Sequence, residues 1–200
     1  MLPTGRVVSI VLVLVLALPA LADGGEGEPV PDQTVSAEVE APARNWINVR
    51  LGASTSTVWP HVCGEVTPLE VLSVEACGNG AGFWHQDPAP EIAHFRGKIR
   101  GPALKHELFW LEPWAGFGFA ELQIGEDGPG FDFFGPGDTL VETAGPEVTG
   151  AVRALVPLAL GFELITELNV GAAYMAHAPE LVVPQSPWQL SAAVTVGAGF

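Results

Sequence analysis

Long runs in which every second residue is apolar constrain this chain more than any other feature. Ile47, Val49, Leu51 and Ala53 fall on one side of an extended backbone, with Trp46, Asn48, Arg50, Gly52 and Ser54 on the other. The split recurs downstream, where Phe162, Leu164, Leu168, Val170, Ala172 and Tyr174 alternate with Glu163, Glu167, Asn169 and Gly171. It recurs again where Trp188, Leu190, Ala192, Val194, Val196, Ala198 and Phe200 alternate with Gln189, Ser191, Ala193, Thr195, Gly197 and Gly199. Such a chain is committed to strands with one apolar and one polar face, which makes the fold all-β.

Further strand candidates are Val66 to Cys77, Glu91 to Ile99, Glu107 to Ile124 and Glu147 to Pro157, with a weaker one over Gly130 to Thr143. Among 200 residues, 24 Gly and 18 Pro separate most of these segments and argue against a helical bundle. Strands of soluble sandwiches average about 5–6 residues, whereas crossing a bilayer takes about 9–11 tilted ones. Length therefore favours an antiparallel up-and-down β-barrel of about eight strands that spans a membrane. Trp46, Trp110, Tyr174, Trp188 and Phe200 stand near strand ends, where interfacial aromatic girdles belong.

The N-terminus carries an export signature. Arg6 precedes an apolar run from Val7 to Leu18, and Ala20-Leu21-Ala22 has the small-x-small pattern of a cleavage site, so residues 1–22 are read as a signal peptide. The run is short for a membrane-spanning helix and ends at Pro19. Residues 23–44, acidic and rich in Gly and Pro, have too little apolar surface to fold and are read as a disordered tail, leaving 45–200 as the barrel domain. A formal net charge of -15 disfavours nucleic acid as a partner, because phosphate binding needs Lys and Arg.

The last strand ends on Phe200, with Val194 and Val196 at alternate positions before it. That ending resembles the recognition signal of bacterial outer-membrane β-barrels, and the chain as a whole resembles the small outer-membrane barrels of the OmpA/OmpX kind. The resemblance covers Asn45 to Phe200 as architecture and Trp188 to Phe200 as a motif. It implies a bacterial outer-membrane location, membrane lipid and the barrel-assembly machinery as partners, and a structural or surface-interaction role. The competing reading is a soluble periplasmic or secreted lipocalin-like barrel that binds an apolar small molecule. The two differ in which face is dry: Phe162, Leu164, Leu168, Val194 and Val196 face lipid in the first and line a cavity in the second.

Inside a barrel, Arg50, Arg153, Glu163, Glu167 and Asn169 would form a polar lumen network, since a narrow eight-stranded interior is filled by side chains and tolerates charge only when it is paired. Histidines 61, 85, 94, 106 and 177 show no metal-ligand spacing. Trp84 to Asp87 and Glu91 to Arg96 are the densest polar groupings and could line a pocket, while the acidic Gly125 to Gly137 segment lacks the ordered ligands of a calcium loop. No GxSxG is present and no cofactor is expected, so the chain reads as a non-enzyme.

Cys63 and Cys77, the two cysteines of an exported chain, are expected to pair. One straight strand through this segment would set them about 46 Å apart at ~3.3 Å per residue, far beyond the ~7 Å a bridge allows. The disulfide reading therefore demands that the segment turn back on itself, as a small hairpin or an irregular lobe at one end of the barrel.

Overall fold

The computed structural model describes residues 45–57, 59–79, 90–125, 131–136 and 139–200. The signal peptide, the acidic tail and the Trp84 to Asp87 grouping lie outside the described residues, as does much of the Gly125 to Gly137 segment.

The strands are β1 (Ile47–Ser54), β2 (His61–Leu69), β3 (Leu72–Gly78), β4 (Pro90–Arg100), the two-residue β5 (Leu104–Lys105), β6 (Trp110–Ile124), β7 (Glu142–Pro157), β8 (Glu163–Tyr174) and β9 (Trp188–Gly199). Each long strand pairs antiparallel with its neighbour in sequence, β9 pairs with β1, and β4 pairs with β6, so eight strands close into an up-and-down barrel that leaves no open edge. β5 only adds a short pairing to the start of β6.

The connections differ at the two ends of this barrel. Residues 70–71, 101–109 and 158–162 join strands at the end where Trp46 and Phe200 lie. Residues 55–60, 79–89, 125–141 and 175–187 join them at the other. These are called the short-turn end and the long-loop end below.

Side chains alternate between wall and lumen along every long strand. Ile47, Val49 and Leu51 point out from β1 while Asn48 and Arg50 are buried inside. Leu164, Leu168, Val194 and Val196 likewise lie on the outer wall, 40–53% exposed, and Phe162 just before β8 is 45% exposed. Outward positions of the eight barrel strands carry no Lys or Arg, and their acidic residues are Glu91, Glu121 and Glu142, all near the long-loop end. The wall is apolar where a soluble protein would be charged.

Several expected boundaries shift. Val66 to Cys77 is not one strand: β2 begins at His61, the chain turns at Glu70 and Val71, and β3 returns. Pro68, which lacks a ladder donor, lies where the β2–β3 register slips between Val66 and Leu69. β7 starts at Glu142, running through Gly145 and Pro146 where turn signals suggested a break, and the weak candidate over Gly130 to Thr143 contributes only its last residues. Trp110 is not a girdle residue: it is 9% exposed and packs inside with Leu155 and Ile165 at the short-turn end. Outward aromatics do stand at both ends, with the tilted Phe162–Phe200 pair at one and the Tyr174–Trp188 pair, 5.0 Å between ring centroids, at the other, while Trp46, on the parity of Asn48 and Arg50, is exposed at the short-turn rim.

Candidate functional site

The lumen holds one connected set of charged side chains. Arg50 from β1, Glu65 from β2, Glu75 from β3, Lys98 from β4, Arg153 from β7 and Glu167 from β8 meet across the barrel, each no more than 2% exposed. Arg153 donates from Nε to Glu167 Oε2 at 2.7 Å and from Nη1 to Glu65 Oε1 at 3.0 Å, so one guanidinium ties two strands to its own. Lys98 Nζ donates to Glu75 Oε2 at 2.9 Å and Glu167 Oε1 at 2.8 Å. Arg50 donates to both Glu75 and Glu167 and stands 3.0 Å from Glu65 Oε2. The face of Trp114 lies beneath two of these cations, 4.7 Å from Arg153 Cζ and 5.6 Å from Lys98 Nζ.

Strand register explains why these residues meet. Arg153 is the cross-strand partner of Glu167, and Arg96 is the partner of Glu75. Glu65 is opposite Glu75, a like-charge pair that would be destabilising alone. Arg50, Lys98 and Arg153 surround that pair and offset the repulsion. Gly197, directly opposite Arg50 on β9, makes room for the guanidinium stem: a Cβ there would stand 2.6 Å from Arg50 Cα and 2.7 Å from its Cγ.

The network continues in both directions. Toward the short-turn end, Arg100 Nη1 donates to Glu112 Oε1 at 3.3 Å. Toward the long-loop end, Arg96 bridges Glu75 at 3.3 Å and Glu147 at 3.2 Å, and His94 Nδ1 lies 2.8 Å from Glu147 Oε1. Of the eight Lys and Arg residues in the sequence, Arg50, Arg96, Lys98, Arg100 and Arg153 all point inward. They face Glu65, Glu75, Glu112, Glu147 and Glu167, five carboxylates for five cations within this set, with Glu163 buried apart from it at the short-turn end. Taking such ions out of water costs several kcal/mol each, which only complete pairing of this sort offsets.

Among the described residues, two groupings have metal-ligand proximity and other uses. Glu65, Glu75 and Glu167 bring carboxylate oxygens within 4.8 Å of one another, but Arg50, Lys98 and Arg153 already bond those oxygens. His61, Cys63 and Cys77 also converge, yet the sulfurs are joined in a disulfide and are not thiolate ligands. Cys63 and Cys77 are cross-strand partners with Cα atoms 4.1 Å apart on the inner face of the β2–β3 hairpin. The bridge therefore belongs to the barrel wall, not to an irregular lobe at its end.

Of the lumen residues singled out in the sequence, Arg50, Arg153 and Glu167 stand in the central set. Glu163 is buried at the short-turn end, opposite Gly199, and Asn169 is buried on β8 opposite Ala151 and Ala193. Glu65, Glu75, Lys98 and Glu147 escaped sequence reading, whereas His94 and Arg96 belong to the Glu91 to Arg96 grouping that it set apart as a polar cluster. The alternation His61, Cys63, Glu65, Thr67 against Val62, Gly64, Val66, Pro68 is the signal that would have exposed the first of them. Val194 and Val196 are on the outer wall, and Phe200 exchanges backbone hydrogen bonds with Ile47 at 2.9 and 3.2 Å, extending the β9–β1 seam by one pair.

No family model matches the sequence, and no curated protein does. Among solved structures, the chain is similar to the crystal structure of Ail, the attachment invasion locus protein of Yersinia pestis, with 9% sequence identity and a TM-score of 0.33, over 76% of this chain and 93% of that one.

Proposed function

We propose that the chain is a small bacterial outer-membrane β-barrel with a structural or surface-interaction role. The observation that carries this reading is its inverted solvation: charges are paired in the lumen and the outer wall is apolar. Exposing Ile47, Val49, Leu51, Val148, Val152, Leu168, Val170, Val194 and Val196 to water would forfeit roughly 25 cal/mol for each Å² of apolar surface, a cost that lipid removes. Aromatic side chains at both rims suit the two membrane interfaces. A lipocalin-like reading would need Phe162, Leu164, Leu168, Val194 and Val196 around an internal cavity, and they lie on the opposite face.

On this reading the lumen is a plug. Side chains from six strands interlock at one level, so the barrel serves as a rigid scaffold and the long loops are its contact surface. Outer-membrane barrels carry short periplasmic turns and longer external loops, which puts the short-turn end in the periplasm and the long-loop end outside. Export by the N-terminal signal, insertion by the barrel-assembly machinery and recognition of the Phe200 strand follow as parts of the same proposal. Cell fractionation tests it: the folded protein should remain with the outer membrane through salt and urea washes and be released by detergent. Recovery in the soluble periplasmic fraction would overturn the reading.

A further inference from the structure

We propose that Ser56, His94 and Glu147 form a serine esterase site at the long-loop mouth of the barrel, acting on small carboxylic esters. This goes beyond the scaffold role and does not depend on it. Ser56 follows β1, His94 is on β4 and Glu147 is on β7, so no local motif could announce them. Ser56 Oγ is 3.0 Å from His94 Nε2, and His94 Nδ1 is 2.8 Å from Glu147 Oε1. With Nδ1–H donating to the carboxylate, Nε2 is left to accept the Ser56 proton, which is the tautomer a nucleophilic serine needs. Arg96 Nε donates to the other carboxylate oxygen at 3.2 Å and fixes Glu147 in place. His94 and Glu147 are 2% and 1% exposed, so the relay is sheltered from water while Ser56 meets a cavity.

That cavity has a volume of about 330 Å³ and is bounded by Ser56, Thr57, Ile92, Leu122, Gln185 and Gln189. Ile92 and Leu122 offer an apolar floor for a short acyl chain, and the two glutamines a polar rim for the alcohol part. Ser54 Oγ lies 2.8 Å from Ser56 Oγ, and Thr55 and Thr57 also border the cavity, so hydroxyl groups surround the nucleophile.

The chemistry balances without any other reagent than water. Ser56 Oγ bonds to the ester carbonyl carbon while its proton passes to His94 Nε2 and the carbonyl electron pair moves onto oxygen. When that pair returns, the bond to the alcohol oxygen breaks, and His94 hands the proton to the departing alkoxide. Water then attacks the acyl-Ser56 carbon, gives a proton to His94, and the serine oxygen leaves and takes that proton back. The net change is ester plus water to acid plus alcohol.

The test uses the full chain refolded in detergent, with folding checked by heat-modifiable migration, a fluorophosphonate as the active-site probe and p-nitrophenyl butyrate as the ester. Peptide mapping should find the adduct on Ser56, with ester turnover that Ser56→Ala abolishes. His94→Gln, which removes the proton acceptor, should slow labelling by about 100-fold or more. Absence of a Ser56 adduct in folded wild-type protein overturns the proposal, as does an adduct only at another residue or a folded His94→Gln variant that labels at the wild-type rate. If that variant does not fold, the wild-type map alone decides. None of these outcomes bears on where the protein fractionates in cells.

Discussion

Outer wall and lumen are built from alternate residues of the same strands and obey different rules. On the wall, Val148, Val152, Leu168, Val170, Val194 and Val196 are interchangeable in kind: each covers surface and none has a specified partner. In the lumen, Arg153 touches Glu65, Glu167 and the face of Trp114, and no other residue type would satisfy all three. Non-directional solvation tolerates substitution, whereas a buried ion network is specified atom by atom. Adjacent residues should therefore differ widely in what their loss costs.

Arg153 and Val152 give the sharpest contrast. Arg153→Ala leaves Arg50 and Lys98 alone to offset the buried Glu65, Glu75 and Glu167 and should cost about 3–5 kcal/mol, whereas Val152→Ala, which trims a wall position, should cost under about 1 kcal/mol. Urea unfolding in the same detergent measures both, and equal midpoints would show that the lumen charges are solvated. Leu168→Arg inverts the comparison by putting a charge on the wall, for about 2–4 kcal/mol if that position sits near the middle of a bilayer. Unfolding from lipid vesicles at wild-type stability would remove lipid from the outer face.

Gly197→Val reports on the space that the network needs. A side chain there would meet the β1 backbone at Arg50, so the strand pair must part or the guanidinium must move, at about 1–3 kcal/mol. The double variant with Arg50→Ala should lose less than the sum of the single changes, because the two positions act on one site. Strict additivity would mean that Gly197 matters for β9 alone.

These contrasts also mark how far the sequence could be read. β8 and β9 were legible because Leu164 to Tyr174, apart from Ile165 and Thr166, and Trp188 to Phe200 alternate along their length, and the period-two signal needs no partner to be seen. Arg50, Arg153 and Glu167 were found as inward polar residues by the same logic. The β2–β3 hairpin was obscured by Pro68 and by its turn at Glu70 and Val71, so Glu65 and Glu75 had no strand to assign them a face. Pairing across strands was out of reach altogether: nothing near Glu147 in sequence announces His94, and only the closed register of β4, β6 and β7 brings them to 2.8 Å. Trp110 shows the opposite failure, since position near a strand end suggested a girdle while its inward parity, shared with Glu112 and Trp114, fixed it in the lumen.

The smallest effect on stability is expected at Phe200, where wall and assembly come apart. Its backbone adds one hydrogen-bonded pair to the β1–β9 seam, and its ring, 54% exposed, leans on Phe162 at 6.5 Å. Net hydrogen bonds are worth about 1 kcal/mol each, and a partly exposed aromatic contact adds little, so deleting Phe200 should shift the unfolding midpoint of the refolded protein only slightly. On the proposed outer-membrane reading, a strand end that contributes so little to the finished barrel has more to lose during insertion, where an outward aromatic after Val194 and Val196 would offer an assembly machinery a feature to grip. The inserted fraction in cells should therefore fall well beyond what the midpoint implies. If insertion and heat-modifiable migration of the truncated chain match the wild type, Phe200 is one more residue of the wall.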